Sequence, residues 1–248
     1  MNYHERYLGG ETISVYKEIE NLDFSTLNSN DKKDIDKVLT ETFERVDFNL
    51  KIIYNELIAI GYLFKTEHKF NFEKPLHKPL ENTESLIKKL DIAVSPFGLV
   101  PLSLKYFYRI VGGVNFVWDF ETNEKFMWDM ADPIQVASLD SIAEEVTTKY
   151  WKEDIQQYVD DEEFGCAFLD LSADDLHKDN ASGGQPYSLK ITRKQTIDGR
   201  FMNEPNDTTF ISYLRICFDN CGFPGIRTDS NNEYQGFFNK VKPQLKKI

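Results

Sequence analysis

The chain of 248 residues carries 29 Lys and Arg against 41 Asp and Glu, a net charge of −12, with a pI near 4.9. That balance argues against a nucleic-acid partner, because binding phosphate draws on a clustered basic face, and it favours a basic protein partner instead. A hydrophobic fraction of 41%, with 19 Phe and 12 Tyr, supplies a substantial core in which aromatic rings carry much of the burial.

Three cysteines, Cys166, Cys217 and Cys221, are an odd number without a disulfide-scaffold spacing and fit a reducing compartment. The first ten residues hold no apolar signal region, and no run reaches the ~18 to 20 apolar residues of a membrane span. The expectation is a cytoplasmic protein with no membrane partner.

In chain order, a first helix is expected from near Glu11 to Leu22. A second begins around Ser29-Asn30-Asp31 and carries Ile35, Leu39, Phe43, Val46, Leu50, Ile53, Leu57 and Ile60 at spacings of three and four, ending at Gly61. At 1.5 Å per residue this is one helix about 45 Å long. Its stripe suits packing on the chain's own core, or a seam for a second copy of the chain. Between Phe64 and Asn82, Pro75, Pro79, His68 and His77 with few periodic apolar positions read as an ordered connection or a natural boundary.

A helix is expected over Thr83 to Leu90. Next, Pro101 suits a first helical turn, Leu104, Phe107, Tyr108 and Val111 share a face, and Gly112-Gly113 stops the helix. Beyond the glycines the period becomes two, so a strand is expected through Val114, Phe116, Trp118 and Phe120. A strand near Pro133 to Ser138 and a helix from Leu139 or Asp140 to about Tyr150 follow. Cys166 to Leu171 reads as a buried strand, and Ile197-Asp198-Gly199 as a tight hairpin joining Tyr187–Thr196 to Arg200–Asn203. A helix capped by Thr208 or Thr209 presents Phe210, Leu214, Cys217, Phe218 and Cys221 on one face and stops at Gly222 and Pro224. Lys240 to Ile248 is a basic tail.

The helix at Thr83–Leu90, the Leu99-Val100-Pro101 entry to an aromatic helix, the Gly112-Gly113 stop, the strand after it and Asp132-Pro133-Ile134 leading to Ile142-Ala143-Glu144-Glu145 resemble the SUKH superfamily over residues 82 to 150. The resemblance implies an α+β fold, an antiparallel sheet faced by helices, here with a helical N-terminal extension. The implied division is a helical segment 1–81 packed on a SUKH-like domain 82–248. It also implies a non-catalytic binding module, notably an immunity-type protein that neutralises a toxin in bacterial competition. The matching residues, Pro101, Phe107, Gly112, Gly113 and Trp118, are structural, so no catalytic residue is carried over, and no cofactor is expected.

Two other regions carry polar chemistry. From Glu153 to Asp175 there are nine Asp and Glu and no Lys or Arg, which reads as a solvated acidic loop or as a face for a basic, toxin-like protein. The candidate partner-binding residues are Asp160, Asp161, Glu162, Glu163, Asp174, Asp175 and His177. In the turn-rich stretch that follows, His177 oriented by Asp170 or Asp174, with Ser182 as nucleophile, makes a hydrolase-type alternative. A self-associating scaffold built on the long N-terminal helix is a third reading. Cys217 and Cys221 with Cys166 and His177 offer four zinc-ligand types, but both helical cysteines sit on the apolar stripe and read as core.

Overall fold

The computed structural model describes residues 2–65, 74–123, 127–162, 164–226 and 232–248. The fold is α+β. Three helices open it: α1 (Tyr3–Leu8), α2 (Thr12–Ile19) and the long α3 (Ser29–Ala59). The helix expected from Glu11 to Leu22 is α2, and a further helix, α1, precedes it; Arg6 joins the two, its guanidinium bonding Glu18 at 2.6 and 2.8 Å and Glu11 at 3.0 Å. Helix α3 starts where the Asn28 side chain accepts the Asn30 and Asp31 N–H groups, which lack intrahelical partners. Its stripe from Ile35 to Leu57 is at most 1% exposed, so the chain's own core covers the face that self-association would use; Ile60, beyond the helix, is 40% exposed.

What covers it is α5 (Leu102–Ile110), preceded by β1 (Leu76–His77) and α4 (Thr83–Val94). Leu104, Phe107, Tyr108 and Val111 are all buried as their spacing requires. The Phe107 ring meets Phe43 of α3 edge-on at 6.2 Å and Phe210 at 5.7 Å. Pro101 stands at the N-cap rather than within the first turn. The N–H groups of Leu102 and Ser103 are taken by the carbonyls of Thr196 and Ile197.

The strand after the glycines, β2 (Gly113–Asn115), is far shorter than alternation predicts. The Asn115 side chain accepts the Val117 N–H at 3.1 Å, and beyond it the chain pairs irregularly with residues 63–65, the Lys65 N–H donating to Val117 and the Asp119 N–H to Leu63. Strand β2 lies between β1 and β3 (Gln135–Val136), with Val114 opposite both Leu76 and Val136.

The single helix expected over 139–150 is also two, α6 (Leu139–Glu145) and α7 (Lys149–Asp160). The Thr147 and Thr148 hydroxyls donate to the Glu144 and Glu145 carbonyls and close α6, while Thr148 Oγ1 accepts the Trp151 N–H and starts α7. After β4 (Phe168–Ser172) and the short α8 (Asp175–Lys178) come β5 (Tyr187–Lys190), β6 (Arg200–Met202) and β7 (Thr208–Thr209), then α9 (Phe210–Asp219) and α10 (Asn232–Val241).

Among the described residues the strands make two antiparallel sheets, β1-β2-β3 and β4-β5-β6-β7, where one was expected. They are stitched at a corner, where Ala137 N–H donates to Leu171 at 2.7 Å and the Gln135 side chain accepts the Ala173 N–H at 2.8 Å. The tight Asp198-Gly199 hairpin is corrected as well: residues 191–199 form a longer connection. The Asp198 carboxylate is drawn inward, accepting Ser103 Oγ at 2.7 Å and the N–H groups of Gly199 and Ile211.

The basic tail is a strap on α3. Buried Asn49 accepts the Lys246 N–H and donates to the Lys246 carbonyl, both at 2.8 Å, and Ile248 is buried. One hydrophobic cluster runs from Tyr3 to Ile248, drawing on both sides of the expected 81/82 division. No helix among the described residues is long and apolar enough to cross a membrane.

Candidate functional site

The acidic run is not one loop. Its first part is helix α7, which buries Trp151 and Ile155, pairs Glu153 with Lys149 and ends in exposed Asp160, followed by exposed Asp161 and Glu162. Asp161 accepts the Phe164 N–H at 3.1 Å and Asp160 accepts from Gln156, so backbone and side chains fix these carboxylates in place. Glu163 lies outside the described residues. Among the described carboxylates of the expected face, those of this short end stand in solvent.

Asp174 must be removed from the contact surface. It is 3% exposed and caps α8, its Oδ1 accepting the Leu176 and His177 N–H groups at 3.0 and 3.1 Å. Its other oxygen pairs with His177 Nδ1. Gly184 lies against this carboxylate at φ +77°, and a Cβ there would stand 2.5 Å from Asp174 Oδ1. Gly184 therefore serves close packing on the cap. Asp175 is half-buried and the His177 side chain is 51% exposed.

His177, Asp174, Asn180 and Ser182 line a cleft of about 590 Å³. An imidazole held by a carboxylate is the arrangement a general base needs. This carboxylate is first of all a helix cap, and His177 is the first-turn side chain that reaches back to it. Among the described residues no hydrogen bond joins exposed Ser182 to His177. Asp170 is not a member: it sits on β4 in a separate small cleft beside Glu145, its carboxylate accepting Ser188 Oγ at 2.5 Å. The Asp170/His177/Ser182 set is thus not assembled.

Burial raises the Asp170 carboxyl above the ordinary Asp range, against a smaller lowering by Ser188. The folded chain then keeps this proton to higher pH than the unfolded chain does. Its stabilising contribution is complete below the usual value near ~3.9 and is lost as pH rises through the raised value. We expect the unfolding free energy of Asp170→Asn, relative to wild type, to increase as urea titrations move from about pH 3.5 to 7. A difference that stays flat with pH contradicts the assignment.

Cys217 and Cys221 are fully buried on α9 and just beyond it, as the apolar stripe implies. Burial pushes the Cys221 thiol up to about 12 and the Cys217 thiol further, so neither is a ready thiolate. Among the described residues no group of three His, Cys, Asp or Glu is placed to hold a metal. His77 is half-buried on β1, and burial lowers its pKa.

One feature had no clear sequence signal: a groove of about 1000 Å³ between α4 and α7 is lined by Lys88, Lys89, Lys149 and Lys152. These lysines are far apart in sequence, and only the packing of two helices gathers them. Comparison of the chain with family models, curated proteins and solved structures gives no match.

Proposed function

We propose that this is a non-catalytic protein-binding module, an immunity-type protein that neutralises a basic, toxin-like partner. The observation that carries this reading is the exposed, consecutive Asp160, Asp161 and Glu162 at the end of α7, in a stretch from Glu153 to Asp175 without one Lys or Arg. The net charge of −12 and the SUKH-like order of residues 82 to 150 support it. Charges of one sign held on a rigid helix end steer an oppositely charged protein to its encounter, and solvent exposure makes that attraction sensitive to salt.

The test is to capture bound proteins with the wild-type chain, then titrate the captured partner against wild type and the variant with Asp160, Asp161, Glu162 and Glu163 all changed to Lys. The expected partner is basic. Its affinity falls at least about tenfold in the variant at low salt, and the dependence on salt flattens. Unchanged affinity together with an unchanged salt slope would sink the acidic-face reading.

A further inference from the structure

We propose that the groove between α4 and α7 docks an acidic amphipathic helix of a partner protein. The groove encloses about 1000 Å³. Its apolar floor includes Ile92, 64% exposed, and Phe97, whose ring stacks edge-on against Trp151 at 5.7 Å. Lys88, Lys89, Lys149 and Lys152 form its rim, and the one carboxylate among its lining residues, Glu153, is engaged with Lys149 at 3.3 Å. Among the described residues Lys88, Lys89 and Lys152 have no ion pair. Arg193, which donates to the Pro96 carbonyl at 2.9 Å, adds another cation at one end.

Such a cluster runs against the composition of a chain with a net charge of −12. It also runs against the stability of α7. That helix has no acidic residue in its first turn and no basic residue in its last, while Lys149 opens it and Asp160 closes it. Charges set this way oppose the helix dipole, at a cost of roughly 0.3–1 kcal/mol each. The dipole therefore gives no reason for Lys149 and Lys152 at this end of α7, whereas an anionic occupant does.

The walls decide the shape of that occupant. Both are helices whose backbone groups bond within themselves, and the lining residues include none from a strand, so the groove offers no edge for an extended peptide. A guest that satisfies its own backbone, as a helix does, suits these walls and can press an apolar stripe at i, i+3, i+4 and i+7 onto Ile92 and Phe97. Acidic residues flanking the stripe then meet the lysines on both sides. Asp160, Asp161 and Glu162 do not line the groove, so the proposal stands apart from the acidic-face reading.

The probe is a synthetic peptide of about 16 residues, ~24 Å as a helix, with Leu at the stripe positions and Glu on the flanks. Its control keeps the stripe and carries Lys in place of Glu. Fluorescence anisotropy is expected to show the Glu peptide binding and weakening with salt, with the Lys peptide at least about tenfold weaker. Ile92→Asp and the double variant Lys88→Glu/Lys89→Glu each lower affinity about tenfold at unchanged melting temperature, since these side chains are exposed, whereas Asp160→Lys/Asp161→Lys does not lower it. Equal binding of the two peptides, binding of neither, or indifference to the Lys88/Lys89 change overturns the proposal. Sedimentation with phosphatidylcholine vesicles containing phosphatidylserine, when the Glu peptide fails to bind, assigns the groove to an anionic membrane surface instead.

Discussion

Replacing Lys178 by Met is expected to remove about 3–5 kcal/mol of unfolding free energy, because it strands a buried carboxylate. The Lys178 side chain on α8 is 0% exposed and that of Asp132 is 5%, with Nζ 2.6 Å from Oδ1. The ammonium also lies 4.6 Å from the centre of the Tyr187 ring on β5. The pair thus bolts α8 and the start of β5 to the segment before β3, where Asp132 holds a left-handed backbone at φ +45°. Loss on that scale is a large part of the ~5–15 kcal/mol typical of a folded domain.

Urea titration measures the loss, and the companion variant Lys178→Met/Asp132→Asn tells its source. With both charges gone, and Asn suited to the left-handed backbone, more than half of the loss is expected back. If the single change costs under about 1 kcal/mol, the carboxylate is not stranded and the pair is not what holds this corner.

Gly112→Ala is the second large effect, expected at about 2–5 kcal/mol. Left-handed backbone costs an L residue about 1–2 kcal/mol, and forcing atoms into filled space about 1–3 more. Gly112 has φ +101°, and a Cβ there would stand 2.5 Å from the His77 carbonyl oxygen and 2.6 Å from the Lys78 carbonyl carbon. These are backbone atoms of the strand paired with β2 and of the residue after it, so they cannot rotate away. Gly113 is different: its added Cβ would meet His77 Cβ at 3.3 Å and Ser138 Cα at 3.4 Å. Gly113→Ala should move stability by no more than about 1 kcal/mol, partly offset by the stiffer unfolded chain. Equal losses from the two substitutions in thermal or urea unfolding would disprove this distinction.

The contrast between the two glycines marks how far the sequence could be read. A Gly-Gly pair after Val111 signals a helix stop, and α5 stops there. Which glycine is indispensable follows from where β1 packs, and β1 comes from a proline-rich stretch with little periodicity. The short β2 has a similar origin. Alternating Val114, Phe116, Trp118 and Phe120 promise a long strand, yet the Asn115 side chain takes the Val117 N–H, and the chain beyond it turns to irregular pairing with residues 63–65. Local side-chain competition of this kind is visible in the residues only once the turn is known.

The site followed the same division. Asp160 to Glu162 were legible as exposed acid because nothing apolar alternates with them. Asp174, three positions before His177, was grouped with them by charge, although its carboxylate is spent on the N–H groups of α8. The lysines of the α4–α7 groove were not legible at all, since Lys88 and Lys152 meet only through packing.

By itself the sequence determined the helical stripe of α3, the buried face of α5 and the cores around Cys217 and Cys221, because burial selects residue types at the period of each element. Tertiary structure decided the rest: two sheets instead of one, a tail strapped to α3, Asp198 turned inward and Asp174 made a cap. These rest on hydrogen bonds and ion pairs between distant segments, whose partners are set by three-dimensional proximity and leave no period in the chain.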